Sequence, residues 1–184
     1  AGVRYWIVEP DETHRAAQRD TLGGLARKLS HVDELRGLAD APSHAVFLCN
    51  ELPDAMPVHR LEFAGGRWRE MQVRGADGGG FEFVPGELSS ARLAGELEKA
   101  GGPFPEGFRT EINLAMLDWI RELAGARFCG AVLILDYGHS AEEYFSPERG
   151  AGSLRRYRAH RSDDRVLEDL GACDLTAHVN FPRL

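Results

Sequence analysis

The sequence predicts an α/β fold with a mostly parallel sheet and an antiparallel β insertion. Three short, unbroken apolar runs, each stopping at a polar residue, predict the sheet. Helical patterns between those runs predict the α layer, and an alternating stretch around glycine turns predicts the insertion.

The runs come first. Tyr5-Trp6-Ile7-Val8 ends at Glu9, Ala45-Val46-Phe47-Leu48-Cys49 at Asn50-Glu51, and Ala131-Val132-Leu133-Ile134-Leu135 at Asp136-Tyr137-Gly138. Unbroken apolar character marks strands covered on both faces, as in parallel sheets. In open α/β sheets ligands bind beyond the carboxyl ends of the strands, so these polar ends are candidate site positions.

His14 to Leu29 carries Ala17, Leu22, Leu25 and Leu29 at roughly helical spacing. Glu87 to Ala100 reads as a short helix stopped by Gly101-Gly102-Pro103. Thr110 is placed to cap a longer helix with Glu111 in its first turn. Ile112, Met116, Trp119, Ile120 and Leu123 then make one apolar face, which packs on the sheet. Between His59 and Pro85 the pattern alternates polar and apolar around Ala64-Gly65-Gly66, with a second turn at Gly78-Gly79-Gly80; that is a hairpin signal. After Gly138 the chain is turn-rich until Asp174–Phe181, which alternates as a strand does.

Bulk properties narrow the function. The chain has 184 residues, 22 basic against 29 acidic, and a net charge of -7. An acidic chain is ill suited to sequence-independent nucleic-acid binding, which needs clustered Lys and Arg to neutralise phosphate. No apolar run approaches the roughly 20 residues that cross a bilayer. Arginines crowd between Arg149 and Arg165; such a run is a solvated loop or a docking surface for an acidic partner. Cys49, Cys129 and Cys173 form no CxxC and, being odd in number, no disulfide framework, which suits a reducing, cytoplasmic setting. Cys49 reads as a small buried hydrophobe. The seven histidines show no ligand spacing, so no metal is expected.

Two positions could carry chemistry. Glu9, ending the first run, suits a carboxylate accepting hydrogen bonds from ribose hydroxyls in a dinucleotide-type fold, or a capping carboxylate. The glycine loop that should precede such a carboxylate is not in the chain: none of its glycine pairs follows a buried strand and opens a helix. The expectation is that this loop lies upstream of Ala1. The second position is Asn50-Glu51-Leu52-Pro53-Asp54-Ala55-Met56-Pro57, the densest polar cluster beside an apolar run. Its carboxylates could hold a guanidinium through paired hydrogen bonds, or could stabilise a turn.

Five elements in order resemble the MidA-like family of methyltransferases, which includes the mitochondrial complex I assembly methyltransferases. They are Val8-Glu9-Pro10 with Arg15 and Gln18; Asn50–Val58, similar to the family's Asn-Glu-x-x-Asp-Ala-x-Pro-Val; Asp136-Tyr137-Gly138; Gly152-Ser153-Leu154-Arg155 with Tyr157 and His160; and Asp174–Phe181. Pro53, Ser153 and Asn180 depart from the family pattern, the last by replacing an aspartate.

The resemblance implies a partial class I methyltransferase (Rossmann-like) fold using S-adenosylmethionine. Its segments would be a partial core over 1–58, the hairpin insertion over 59–86, helices and return strand over 87–138, and an incomplete C-terminal extension over 139–184. It implies a protein arginine as substrate, since eukaryotic relatives methylate a complex I subunit during assembly. Glu9 and Asn50 would bind the donor, Asn50, Glu51 and Asp54 would line the methyl-transfer site, and Tyr157 and His178 would shape the substrate cleft. The setting would be bacterial cytoplasm or, in a eukaryote, the mitochondrial matrix, with no nucleic acid or membrane as partner. The rival readings are a methyltransferase for another substrate and a non-catalytic assembly or binding module that has lost donor binding. The oligomeric state stays open.

Overall fold

The computed structural model describes residues 3–38, 44–126, 128–159 and 161–184. The chain divides into two compact units, Ala1–Phe47 with Trp119–Leu133, and Leu48–Asp118 with Ile134–Leu184.

In the first unit, strand β1 (Tyr5–Val8) pairs in parallel with β2 (Leu29–Val32), from Tyr5↔Leu29 to Val8↔Val32. Parallel neighbours need a crossover, and helix α1 (Glu12–Leu22) supplies it. Asp11 caps α1, its carboxylate accepting from the Thr13 and His14 N–H groups at 2.7 and 3.1 Å. The helical pattern stops earlier than Leu29, because Gly23 (φ 50) ends the α-helix and Gly23–Lys28 tightens into a 3-10 turn.

Strand β3 (His44–Asn50) alternates exposed and covered residues, with Phe47 against Trp119 at 6.1 Å between ring centroids. Only one face is therefore covered, which corrects the expectation of two. Val46 is 74% exposed, and Val132, Leu133 and Leu135 on the later strand are also open. Among the described residues no second layer lies on that face.

In the second unit, β4 (His59–Ala64), β5 (Arg67–Gly75), β6 (Phe81–Gly86) and β7 (Arg109–Ile112) form an antiparallel sheet in the order β6-β5-β4-β7. The β4–β5 loop is the two residues Gly65 and Gly66, at φ 62 and 75. Positive φ at both positions is the geometry that matches strand twist. Helix α2 (Ala91–Glu98) begins at Ser90, whose hydroxyl accepts from the Leu93 N–H at 3.2 Å. Leu61, Leu93, Leu97 and Ile112 form the core between sheet and helix.

Here the structure corrects the helix expected from Thr110. Residues 109–112 are β7, pairing with β4 as His59↔Ile112 and Leu61↔Thr110. Thr110 and Ile112 are β-branched and gain more from the pleated, half-buried surface than from a helix. Helix α3 (Leu114–Gly125) begins after Asn113, whose Oδ1 accepts from the Met116 N–H at 2.7 Å. Met116 and Leu117 enter a second apolar cluster with Val179.

After β8 (Cys129–Leu135), which pairs with β3, come β9 (Gly138–His139), α4 (Ala141–Tyr144), β10 (Arg155–Arg158), β11 (Arg161–Asp163), β12 (Asp174–Thr176) and β13 (Val179–Asn180). This segment is more ordered than its turn-rich sequence suggests. A capping box between Ser140 and Glu143 starts α4. The arginine run is also not simply a solvated loop. Arg156 is buried and holds both oxygens of Asp163 at 3.0 and 2.7 Å and Asp169 at 3.0 Å, so much of the basic charge is met within the chain. No helix among the described residues is long and apolar enough to cross a membrane.

Candidate active site

The polar cluster after β3 folds onto the end of β8. The Glu51 N–H donates to the Leu135 carbonyl at 2.8 Å, and the Asp54 N–H to Asp136 Oδ2 at 3.2 Å. Glu51 adopts φ 48, a left-handed conformation that costs a residue with a Cβ of order 1–3 kcal/mol and tends to mark functional positions. Pro53–Ala55 is a 3-10 turn that buries Asp54 to 7% exposure, while Asn50 and Glu51 stay at the surface. Asn50, Glu51, Asp54 and Asp136 thus lie together at the carboxyl ends of two paired strands.

Electrostatically this is an unbalanced site. Burial raises the Asp54 carboxyl above its ordinary range, and the nearby Asp136 and Glu51 carboxylates raise it further. The Cys49 thiol, behind the cluster, is pushed up by burial, Asp136 and Asp54. A carboxyl held this way gains from binding a cation or from taking a proton.

The cluster is braced from behind. The Ala177 N–H donates to the Asp54 carbonyl at 2.9 Å, and Asn113 Nδ2 to the Pro53 carbonyl at 3.0 Å. Asn113 therefore both caps α3 and holds the turn carrying Asp54. Asn113→Ala should cost about 1 kcal/mol, the typical value of an N-cap, and should also loosen the turn that carries Asp54. Thermal unfolding alongside amide hydrogen exchange at Asp54–Met56 checks this. Unchanged exchange with a lowered Tm would confine Asn113 to capping.

Asn113 is an addition to the residues marked from sequence. Asp136 is legible there as the polar end of an apolar run; its partnership with Asp54, 82 positions away, is not. Asn113 was hidden by the helix start expected at Thr110.

Glu9 lies in the first unit, beyond β1. Its N–H donates to the Val32 carbonyl at 2.9 Å, and its Oε1 accepts from the Asp11 N–H at 3.0 Å. Arg15, bound to Asp33 and reaching the Glu9 carbonyl, fixes the turn, and Gln18 meets His31 at 2.8 Å. A half-buried carboxylate held at the carboxyl end of a parallel strand is the acceptor that a ribose hydroxyl pair needs, so this chain's residues fit the sugar of a nucleoside donor.

His178 and Tyr157 part company. His178 follows Ala177 and hydrogen-bonds His139 between Nδ1 and Nε2 at 2.9 Å. Burial lowers both imidazoles, each further depressed by cationic neighbours. His178 lines a cavity of about 380 Å3 within the second unit. Tyr157 stands on β10, 42% exposed, away from the residues lining that cavity. His160 lies outside the described residues.

The first unit thus ends a parallel strand on a held carboxylate, and the second carries a cluster of carboxylates at strand ends. Residues 1–184 match the family described as "Putative S-adenosyl-L-methionine-dependent methyltransferase", and the chain belongs to it. The chain is 28% identical over 155 residues to the mitochondrial protein arginine methyltransferase NDUFAF7 homolog of Drosophila melanogaster, covering 79% of this chain and 33% of that protein. It is 31% identical over 153 residues to the Xenopus laevis protein, covering 78% and 31%. A crystal structure of a COG1565 superfamily member from Burkholderia thailandensis, bound to S-adenosyl-homocysteine, superposes with a TM-score of 0.83 at 31% identity, covering 98% of this chain and 46% of that one. The chain thus spans about a third of the length of the curated relatives it matches. The fold is accordingly Rossmann-like, and S-adenosylmethionine is the cofactor of the family.

Proposed function

We propose that this chain carries the acceptor-activating part of an S-adenosylmethionine-dependent protein arginine methyltransferase. The observation that supports this most directly is the buried, charge-crowded carboxyl of Asp54 beside Glu51 and Asp136. A guanidinium is the side-chain acceptor that such a cluster suits best: cationic, planar and able to meet two carboxylates at once.

The donor, when bound, supplies an electrophilic methyl group on a sulfonium. Glu9 would accept hydrogen bonds from its ribose hydroxyls, and Asn50 would contribute an amide to donor contacts. Glu51 and Asp54 hold the guanidinium of the substrate arginine and orient one nitrogen for in-line attack, so catalysis is chiefly positioning and electrostatics. On transfer of the methyl group from sulfur to nitrogen, the Asp54 carboxylate would take the proton that the nitrogen loses. His178 shapes the substrate side of the cluster from beside Ala177, which braces the Asp54 main chain, and Tyr157 offers a surface contact to the protein substrate. The eukaryotic relatives are named mitochondrial; a matrix setting in a eukaryote, or the cytoplasm in a bacterium, follows from the same reading.

The test is methyl transfer from labelled S-adenosylmethionine by the whole protein, with acid hydrolysis of the labelled product. Label in methylarginine is expected. Label in another residue or in a small molecule would replace the arginine assignment, and donor binding without any transfer would favour a binding module.

A further inference from the structure

Glu111 is a carboxylate on β7 with only 2% of its surface exposed, and no step of the proposed chemistry uses it. Its Oε2 accepts from the Ser153 N–H at 2.7 Å and from the Ser153 hydroxyl at 2.9 Å. With its proton committed to the carboxylate, the Ser153 oxygen keeps its lone pairs for another donor, and it accepts the His178 N–H at 3.0 Å. At the preceding residue, the Ala177 N–H donates to the Asp54 carbonyl at 2.9 Å. The end of β7 also reaches the Asp54 turn from a second direction, where Asn113 donates its Nδ2 to the Pro53 carbonyl at 3.0 Å. Glu111, Ser153, the 177–178 main chain and Asn113 thus close a ring of hydrogen bonds around Pro53 and Asp54, all inside the second unit.

That turn needs holding. Asp54 is buried beside Asp136 and Glu51, so lost hydration and like charge both push its carboxyl outward. Its main-chain bond to the neighbouring strand end, from its N–H to Asp136 Oδ2, is long at 3.2 Å. The grip comes instead from the two carbonyl contacts, and one of them depends on where residues 177 and 178 lie. Hydrogen bonds to a charged group are the stronger kind, so the pair on Glu111 fixes Ser153 firmly. Glu111 is fixed in turn: Tyr144 donates to its carbonyl at 3.1 Å, and Arg60, opposite it on β4, meets its charge electrostatically.

We infer that Ser153 is a positioning residue for the reaction: its hydroxyl, anchored on Glu111, sets the 177–178 main chain that holds Asp54 beside Asp136 and Glu51. The catalytic consequence rests on the role proposed for Asp54; the geometric claim does not.

The test compares Ser153→Ala, which removes the hydroxyl, with Ser153→Thr, which keeps it, both in the whole protein. Amide hydrogen exchange reads the geometry. The Ala177 amide, and those of Ala55 and Met56 that close the turn on Leu52 and Pro53, should exchange about three- to tenfold faster in Ser153→Ala, the value of one lost hydrogen bond. In Ser153→Thr they should exchange as in the wild type. Unchanged exchange in Ser153→Ala would overturn the inference, and so would a folded Ser153→Thr protein that exchanges like the alanine variant. Methyl-transfer kinetics read the consequence. Ser153→Ala should lower kcat roughly tenfold to 100-fold with the donor KM within about twofold, since misplacing a reacting group acts on the chemical step. The rising limb of its pH–rate profile should also move to lower pH, because an Asp54 that relaxes toward water loses the burial and crowding that raise its pKa. A lowered Tm with kcat and that limb unmoved would make Ser153 purely structural. Faster exchange with wild-type kcat would overturn the positioning role, while Asp54→Asn judges the proposed activity separately.

Discussion

Asp54→Asn is expected to lower methyl transfer by roughly 100- to 10,000-fold, the range for losing a positioned acid–base group, while donor affinity stays close to that of the wild type. The amide keeps the shape of the carboxyl and can still accept a hydrogen bond, but it cannot hold a guanidinium by charge or take its proton. Stability should move the other way or not at all. Burial, Asp136 and Glu51 raise the folded-state pKa of Asp54 above its unfolded value. The charged form is then disfavoured in the fold, so its cost is absent below the unfolded pKa and present in full above the folded one. Removing that charge relieves the cost at neutral pH, and the Tm of Asp54→Asn should equal or exceed that of the wild type. The same shift predicts a rate that climbs with pH through the raised pKa of Asp54, a limb missing from the variant's profile. Stopped transfer with intact S-adenosylhomocysteine binding and an undiminished Tm is the expected triad of results. Wild-type activity in the variant would remove Asp54 from the catalytic residues.

Much of this candidate cluster is legible in the sequence because its parts are local. The polar residues after Leu48-Cys49 sit at the end of a strand in any register, and the prolines at 53 and 57 limit how the chain can leave it. Glu9 is placed in the same way by four apolar residues and the cap at Asp11. What could not be read is non-local. Asp136 joins Asp54 only because β3 and β8 are neighbours, a pairing that no sequence window contains. Thr110 and Glu111 look like a helix start until β4 offers Thr110 and Ile112 a ladder, and tertiary pairing then outweighs local capping propensity. The arginine run misleads for a related reason. Its fate is decided by Asp163 and Asp169, which turn back onto Arg156 through β11 and the loop after it. Among the described residues one face of Ala45–Cys49 stays open, because an apolar run reports which residues can be buried, not which segment covers them.

Gly152→Ala tests how firmly Glu111 is held. Gly152 opens the Gly152-Ser153-Leu154-Arg155 element at φ +74, where an L side chain is strained. A Cβ there would lie 2.5 Å from Glu111 Oε1 and 3.2 Å from its Cδ. A flexible carboxylate at the surface would swing aside. Glu111 is not free to do so, since Ser153 holds its other oxygen from both backbone and hydroxyl. The substitution should therefore cost about 1–3 kcal/mol from the left-handed conformation alone. At 2–4 °C per kcal/mol for a chain of this size, that corresponds to a Tm lower by roughly 2–12 °C. Relief of the contact must also move the Glu111 carboxylate. Ser153→Ala separates the two effects: it leaves φ at 152 unstrained but removes the hydroxyl that bonds Glu111 and the His178 N–H, so a smaller loss of Tm is expected. If Gly152→Ala keeps the Tm of the wild type, then Glu111 is less tightly held than its hydrogen bonds indicate, and the carboxylate is a mobile group.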